Sequence, residues 1–420
     1  MGPILIFDKS ALQSLSIDES VWLDNYFLTN ITPLFYVETL ADLSLPNPPK
    51  PAEKIISELA AKTPRALPNV HHSRLVLGNL RGILVETDHG RPIVDQGVTK
   101  RSPDGKIGVH FDEPPEAKAL ARWHKREYRE VEREFAQQWR QTLDILNFDS
   151  AIGIVKNIVP SGEKLNNLEQ IKPFVDKFVQ ADSKEVLYLA LDFLGINDRH
   201  RIAIIERWEK LGKPAFNIFA PYAAYVFSID LLFYLAASKG IIAKERTSNK
   251  VDLAYLYYLP FCHVFVSGDK LHAKTTPLFL RKDQSFITAS NFKDGLSKIN
   301  GYYSQFRDEI AEIGVIKFAT YPPIEIETSI HKLWDTHCPS WRKSALKKAE
   351  TKADQVPKPD SELLKHLKEV QEKSQTINPK VLKNMDEADY ITVSHMVPVQ
   401  RGSWRILPKG IENKKSDEKQ

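Results

Sequence analysis

Four acidic residues stand where metal-dependent chemistry could be carried out. Each ends or interrupts an apolar segment in a different part of the chain: Asp8, Glu38, Asp252 and Asp269. Carboxylate oxygens are the ligands that Mg²⁺ and Mn²⁺ prefer, and a bound ion of this kind activates water and neutralises charge on a phosphodiester. Clustered carboxylates without a cation would instead raise one another's pKa. The set therefore predicts a divalent-cation site for phosphodiester hydrolysis.

Two of the acids follow predicted strands. Residues 3–8 and 264–268 are almost wholly apolar, as in the buried strands of a parallel sheet, and they end near Asp8 and Asp269. Sites in α/β folds form beyond the carboxyl ends of such strands. We therefore expect the two carboxylates at one edge of the sheet, which requires the two strands to be neighbours.

The other two acids are predicted to lie on helices. Thr32-Pro33 is a helix start, with threonine as the cap and proline at the first position, and the helix carries Glu38. Either Ser248 or Asn249 is predicted to cap another helix, and Asp252 is predicted in its first turn, where the helix dipole favours an acid. Taken alone, Asp8 and Asp269 are also explained as ordinary strand-end turn residues, and Asp252 as an ordinary helix-start residue.

Residues beside these acids could support the site. Asp42 shares a helical face with Glu38, so it is predicted either as an accessory ligand or as a solvated surface residue. Lys270, His272 and Lys274 follow Asp269 directly, and they would either contact a phosphate near the metal or form a polar loop.

The segments that contain the acids together resemble the PIN-domain nucleases. The resemblance rests on Ile6-Phe7-Asp8-Lys9-Ser10, Glu38-Thr39-Leu40, Asp252 ahead of Ala254, and Val266-Ser267-Gly268-Asp269-Lys270. It implies that the four acids hold one or two Mg²⁺ or Mn²⁺ ions, that Ser267 and in part Ser10 orient the site, and that cleavage leaves a 5′-phosphate. The family places its third acid some tens of residues after the second, whereas 214 positions separate Glu38 from Asp252.

This spacing requires a long insertion and divides the chain into four predicted parts. The fold class is α/β, with a central, mainly parallel sheet flanked by helices and a mostly helical insertion. The predicted parts are the first portion of the nuclease domain (1–49), the insertion (50–200), the second portion (201–338) and a charged, partly disordered extension (339–420).

Three further elements are predicted outside the acidic segments. An amphipathic helix is expected from Pro114-Pro115 to about Leu146, packed on the body through its apolar stripe. Residues 313–318 are predicted as a strand. A helix is predicted at 361–375.

Composition limits the class of protein. The 420 residues are 42% apolar, which supplies a large core. No run of 18 apolar residues and no signal-like start are present, so we expect a cytoplasmic protein without a membrane span. The two cysteines, Cys262 and Cys338, lack a nearby partner, which argues against a disulfide framework or a zinc knuckle.

Charge distribution leaves two interpretations of the tail open. Residues 341–420 hold 17 Lys and Arg against 12 Asp and Glu, a net charge of +5, whereas the remainder holds 41 against 42. A basic tail could contact phosphates, or it could simply keep the chain soluble.

These observations favour an endonuclease that acts on RNA rather than on DNA. The alternative is a catalytically inactive PIN-like module that binds nucleic acid or a protein partner through the insertion or the tail. A role in a defence or toxin system is a further hypothesis, which genomic neighbours would test.

Overall fold

The computed structural model describes most of the chain. The described residues are 2–64, 68–94, 97–352, 375–376, 389–393 and 397–409. Within them the helices are α1 (Lys9–Ser14), α2 (Ile17–Tyr26), α3 (Pro33–Ala41), α4 (Ala52–Lys62), α5 (His72–Leu80), α6 (Pro115–His124), α7 (Glu130–Ile145), α8 (Asp149–Ile158), α9 (Leu168–Val179), α10 (Lys184–Phe193), α11 (Asp198–Lys210), α12 (Phe216–Phe219), α13 (Pro221–Ser238), α14 (Ser248–Ala254), α15 (Lys270–Thr275), α16 (Ala289–Tyr303), α17 (Arg307–Ile313), α18 (Val315–Phe318), α19 (Ser329–His337) and α20 (Trp341–Lys352).

Strands and short 3₁₀ helices complete the secondary structure. The strands are β1 (Ile4–Phe7), β2 (Leu28–Thr29), β3 (Gly97–Arg101), β4 (Ile107–Phe111), β5 (Val264–Ser267), β6 (Ser285–Thr288), β7 (Gln375–Thr376), β8 (Tyr390–Val393), β9 (Gln400–Arg401) and β10 (Trp404–Arg405). The 3₁₀ helices are Asp42–Ser44, Tyr255–Phe261, Thr276–Leu278 and Ser304–Phe306.

A four-stranded parallel sheet lies at the centre, in the order β2-β1-β5-β6. Phe7 of β1 is opposite Val266 of β5, so the predicted neighbours pair and their carboxyl ends meet at one edge. The predicted α/β class with a parallel sheet is thereby confirmed.

Both faces of this sheet are covered by helices because its side chains alternate between two apolar cores. Leu5 and Phe7 point into a core shared with α2, α16 and α19. Ile6 and Phe265 point into a second core, formed largely around α13. Double coverage explains why these strands read as continuous apolar runs.

The segment 50–200 is mostly helical and packs directly on this body. Helices α8 and α9 contact α13 and contribute Ile152, Val155, Ile171 and Val175 to its core. Helices α4 and α6 join the opposite core. The boundaries of the predicted insertion stay a prediction.

The amphipathic helix predicted from 114 to 146 is broken into α6 and α7. Arg126 has a positive φ of 62° between them, which ends the first helix. The prediction that the whole apolar stripe packs on the body was also wrong for α7. Helix α7 contacts α3 and buries Ala136, but Val131 and Ile145 of the stripe are 63% and 80% exposed.

The strand predicted at 313–318 was wrong as well. Helix α17 ends at Ile313 and α18 begins at Val315, separated by Gly314 with φ 79°. A Cβ at position 314 would lie 2.5 Å from the carbonyl oxygen of Ile406. Glycine therefore permits both the turn and the close approach of the C-terminal segment.

The C-terminal part of the chain returns to the body at two places. Strands β7 and β8 pair with β3 and β4 in a second sheet of order β7-β3-β4-β8. Residues 397–409 pack on α2, where Trp404 lies edge-on to Trp22 and both indole N–H groups donate to Asn300 Oδ1. Apart from Gln375, the helix predicted at 361–375 lies outside the described residues.

Judged by length and composition alone, helix α13 is long and apolar enough to cross a membrane. Most of it is buried in the structure, as the central helix of a folded core would be.

We expect Trp404→Ala to lower the free energy of unfolding by about 3–5 kcal/mol, because it removes a large buried side chain. Trp404 is 1% exposed, whereas Ile391 on β8 is 55% exposed and provides a control. Ile391→Ala should change stability by about 0.5 kcal/mol or less in the same denaturant titration. Equal effects of the two substitutions would contradict the packing of Trp404.

Candidate functional site

The carboxyl ends of β1 and β5 bring Asp8 and Asp269 to the same edge of the sheet. Asp8 follows β1, caps α1, and donates its backbone N–H to the Val266 carbonyl oxygen over 3.2 Å. Asp269 follows β5 after Gly268 and caps α15. Both acids therefore follow neighbouring parallel strands, as predicted, and each also begins a helix that was not predicted.

Asp8 is buried and receives several hydrogen bonds. Its carboxylate accepts from Ser10 Oγ at 2.8 Å, from the Ala11 N–H at 2.8 Å and from Ser267 Oγ at 2.6 Å. Burial opposes ionisation, but the hydrogen bond and charge of His272, followed by Ser267 and Ala11, outweigh it and hold the pKa of Asp8 below its usual value. Asp8 is therefore ionised at neutral pH.

His272 connects three parts of the site. Its Nδ1 lies 2.7 Å from Ser267 Oγ and 3.3 Å from Asp8 Oδ2, and its Nε2 lies 2.6 Å from the Asp252 carbonyl oxygen. The carbonyl requires a donor, and Ser267 already donates its proton to Asp8. Both ring nitrogens must therefore carry protons, which makes His272 an imidazolium paired with Asp8.

The pKa of His272 agrees with this proton count. Burial disfavours the charged ring, but the hydrogen bond and charge of Asp8, with a smaller contribution from Asp252, raise the pKa of His272 above its usual value. The predicted contact of His272 with a phosphate is wrong, because the side chain is only 1% exposed. His272 instead holds Asp8 and the backbone of Asp252 in place from within the protein.

Ser10 and Ser267 tie the two strand ends together. Ser10 Oγ donates to Asp8 and accepts from the Gly268 N–H at 3.0 Å, while Ser267 Oγ accepts from the Asp269 N–H at 2.9 Å. A Cβ at position 268 would lie 2.9 Å from Ser10 Oγ, so glycine allows this approach. Asp269 Oδ1 accepts in turn from the Leu271 N–H at 2.5 Å.

Glu38 lies on α3 and is held from the other side by Tyr255. The Tyr255 hydroxyl donates to Glu38 Oε2. Burial raises the pKa of Glu38 to about 7, opposed by the charge of Lys9 and the Tyr255 hydrogen bond and reinforced by repulsion from Asp252 and Asp8. Glu38 is therefore partly protonated near neutral pH.

Asp252 does not lie in the first turn of its helix, as was predicted. Helix α14 begins at Ser248 after Thr247, so Asp252 is the fifth of seven residues and the helix dipole does not favour its charge. Its Oδ2 atom is buried without a hydrogen-bond partner in the described structure. Burial raises the pKa of Asp252 to about 6, and repulsion from Asp269 and Asp8 adds to the shift, while His272 and Arg246 oppose it.

The remaining accessory residues differ in their exposure. Asp42 is buried and paired with Lys9 at 2.9 Å, so the alternative of a solvated surface residue is wrong. Lys9 also donates to the Glu38 carbonyl oxygen at 3.2 Å, so it links Glu38 of α3 with Asp42 of the following 3₁₀ helix. Lys270 is exposed beside Asp269.

The donor set fits a hard divalent cation in its chemistry. Repulsion connects Glu38 with Asp8 and Asp252, and Asp252 with Asp269, so the four carboxylates share one electrostatic environment. The unpaired Asp252 Oδ2 also leaves a coordination position free. Within the described ranges, no three His, Cys, Asp or Glu side chains are already gathered around a common point. Asp8, Glu38 and Asp269 are instead each held by hydrogen bonds to different partners.

A buried ion pair anchors α14 beneath Asp252. Lys250 Nζ donates to Asp230 of α13 and, over 2.9 Å, to the Tyr257 hydroxyl, which also donates to Asp230. Lys250 Nζ also lies 5.7 Å from the centroid of the Phe233 ring. The sequence signal for this anchor is Asp230, a single charge inside the apolar stretch of α13, but its partner could not be identified from sequence.

We expect Lys250→Met to lower the free energy of unfolding by about 3–5 kcal/mol, because Asp230 would keep a buried charge without its cation. Adding Asp230→Asn removes that charge and retains an acceptor for Tyr257, so the double variant should recover most of the loss. Lys244, whose ion pair with Asp149 is exposed, provides the control. Denaturant titration of Lys244→Met should show almost no change, and a double variant as unstable as the single one would contradict the ion-pair interpretation.

Comparison with known proteins adds no family assignment: no family model, no curated protein and no solved structure matches the chain. The PIN-like identity therefore stays a prediction, based on the resemblance of the acidic segments.

Proposed function

We propose that this protein is a metal-dependent endonuclease that hydrolyses phosphodiester bonds of RNA. The observation that carries the proposal is the parallel pairing of β1 with β5. It places Asp8 and Asp269 at one edge of the sheet, where Glu38 and Asp252 share their electrostatic environment. The proposed ligands of Mg²⁺ or Mn²⁺ are these four acids. The preference for RNA and a cytoplasmic location rest on the sequence alone.

Charge balance supports a cation at this position. The pKa is about 7 for Glu38 and about 6 for Asp252, because burial and repulsion from neighbouring carboxylates oppose ionisation of both groups. A divalent ion would relieve that repulsion, activate water and neutralise charge on the phosphodiester. Protons held by Glu38 and Asp252 compete with the ion, so its affinity should rise with pH.

The chain's own residues divide the remaining tasks. Asp8 stays ionised through His272 and Ser267, and Ser10 fixes the distance between the two strand ends. Tyr255 orients the Glu38 carboxylate. These contacts hold the acids before substrate arrives, which limits the rearrangement needed for catalysis.

We expect the purified protein with Mn²⁺ to cleave single-stranded RNA, and Asp8→Asn and Asp269→Asn to abolish cleavage. Loss of an outer partner of a metal ligand costs about 10- to 100-fold in activity, so loss of a ligand should cost more. Gel assays with end-labelled RNA would measure this, together with the 5′-phosphate on the product.

Folding must be controlled because Asp8 accepts so many hydrogen bonds. Asp252→Asn is the complementary variant, since Asp252 Oδ2 has no partner to lose. Asp182→Asn, at an exposed position, should retain full activity. Unchanged cleavage in folded Asp8→Asn and Asp269→Asn would refute the mechanism, and metal-independent RNA binding without cleavage would favour the inactive module.

We also expect Mn²⁺ to stabilise the protein, by about 2.7 kcal/mol at a concentration roughly 100 times its dissociation constant. The raised pKa values of Glu38 and Asp252 make the ion-free protein progressively less stable as pH rises from about 4, where these groups ionise in the unfolded chain, to about 7, where they have also ionised in the folded protein. The gain from Mn²⁺ should therefore be larger at a pH above 7 than at a pH below 6.

The Asp252→Asn variant separates the destabilisation caused by buried charge from the stabilisation caused by Mn²⁺. It should stabilise the ion-free protein above pH 7 by about 1–3 kcal/mol, because an amide carries no buried charge, and it should reduce the gain from Mn²⁺. Asp182→Asn should alter neither quantity. Thermal and denaturant unfolding with and without Mn²⁺ would measure both, and an undiminished gain from Mn²⁺ in Asp252→Asn would exclude Asp252 as a ligand.

A further inference from the structure

A basic cavity adjoins the candidate site on the side of Asp269. Its volume is about 510 Å³, and its wall includes Gly268 and Asp269 themselves. Three cationic side chains line it: Arg246, Lys270 and Lys274. We call this cavity, with its three cationic side chains, the basic groove.

The three cations of the basic groove are not engaged in close ion pairs with other described residues. Arg246 Nε donates to Ser248 Oγ at 3.1 Å, which orients the guanidinium without cancelling its charge. No ion pair joins any of the three cations to an acid within the part of the chain that the structure describes. The nearby Lys244 differs, because it is paired with Asp149 at 2.9 Å and does not line the cavity.

Electrostatics connect the groove with the acids. The charge of Arg246 reaches Asp252 and lowers its pKa, in opposition to burial. Phosphates approaching four carboxylates are repelled, so a substrate needs cations on its path as well as a metal at the reacting bond. Lys270 and Lys274 lie on α15, directly after Asp269, and so provide charge at that position.

The lining indicates which part of a nucleic acid would bind. The apolar lining residues are all aliphatic: Leu168, Ile241, Ile242, Ala243 and Leu271. Among the described residues no aromatic ring lines the cavity, so these residues offer bases no surface for stacking, whereas cations bind backbone phosphates whatever the sequence. Its volume is typical of sites that enclose one small molecule, which leaves room for a nucleotide or two of a single strand.

We propose that the basic groove binds the phosphate backbone of single-stranded nucleic acid and leads the strand to the carboxylates. This assignment rests on the proposed nuclease function. It adds that the strand is bound without selection of its bases, and it names three residues that would bind it. Leu168 of α9 forms part of the wall, together with Ile241, Ile242, Ala243, Arg246 and Asn249. Helix α9 lies outside the segments that carry the four acids, so a further part of the chain would contribute to substrate binding.

Binding of a labelled single-stranded RNA of about 15 nucleotides to the metal-free full chain would test the groove. Fluorescence anisotropy in EDTA, between about 50 and 200 mM salt, measures affinity and its salt dependence without any cleavage. Arg246→Gln, Lys270→Gln and Lys274→Gln should each weaken binding about 5-fold near 100 mM salt. Each should also reduce the slope of log affinity against log salt by about 0.7, the value expected for one phosphate contact on a single strand.

Lys332→Gln is the matched control, since Lys332 is an exposed lysine on α19, outside the groove. It should leave affinity and slope unchanged. Unchanged slopes in all three groove variants would overturn the assignment even if the protein cleaves RNA. Duplex RNA bound as tightly as single strands, or displacement of the RNA by a mononucleotide at similar affinity, would also overturn it. Groove-dependent binding by a protein that never cleaves would support the groove and refute the nuclease function.

Discussion

The parallel pairing of β1 with β5 is the interaction on which the rest of the structure depends. It joins residues more than 250 positions apart, and its register sets Phe7 opposite Val266. A slip of one residue would exchange the two apolar cores, because Leu5 and Phe7 face one core and Ile6 faces the other. The same register fixes the separation between Asp8 and Asp269. Core packing and site geometry are therefore specified by the same backbone hydrogen bonds.

The site concentrates negative charge in a place where burial makes ionisation unfavourable. Asp8 is compensated by the imidazolium of His272, whereas Glu38 and Asp252 lack an adequate cation and have raised pKa values. Such an uneven distribution is typical of functional sites, where stability is given up locally. Lys250 and Asp230 counter the loss by fixing α14 in the core.

Local signals in the sequence were enough to predict the strand ends, the start of α3 and the α/β class. They failed where distant residues decide the outcome. Tyr255 and Glu38 are 217 positions apart, and no local pattern reveals their hydrogen bond. Short apolar segments are also ambiguous: residues 313–318 read as a strand until the contact of Gly314 with Ile406 is known. Asp252 was assigned to the first turn because helix starts are poorly determined by single polar residues.

The long separation between β1 and β5 has a consequence for synthesis of the protein. At about 5–20 residues per second, a ribosome needs roughly 13–51 seconds to extend the nascent chain from the end of β1 to the start of β5. During that interval β1 has an unpaired edge on the side that β5 will occupy, and Asp8 has neither Ser267 nor His272 beside it. The acids cannot be gathered until most of the chain has been made. A nascent chain shorter than about two thirds of its final length would therefore carry the first two acids without the last two.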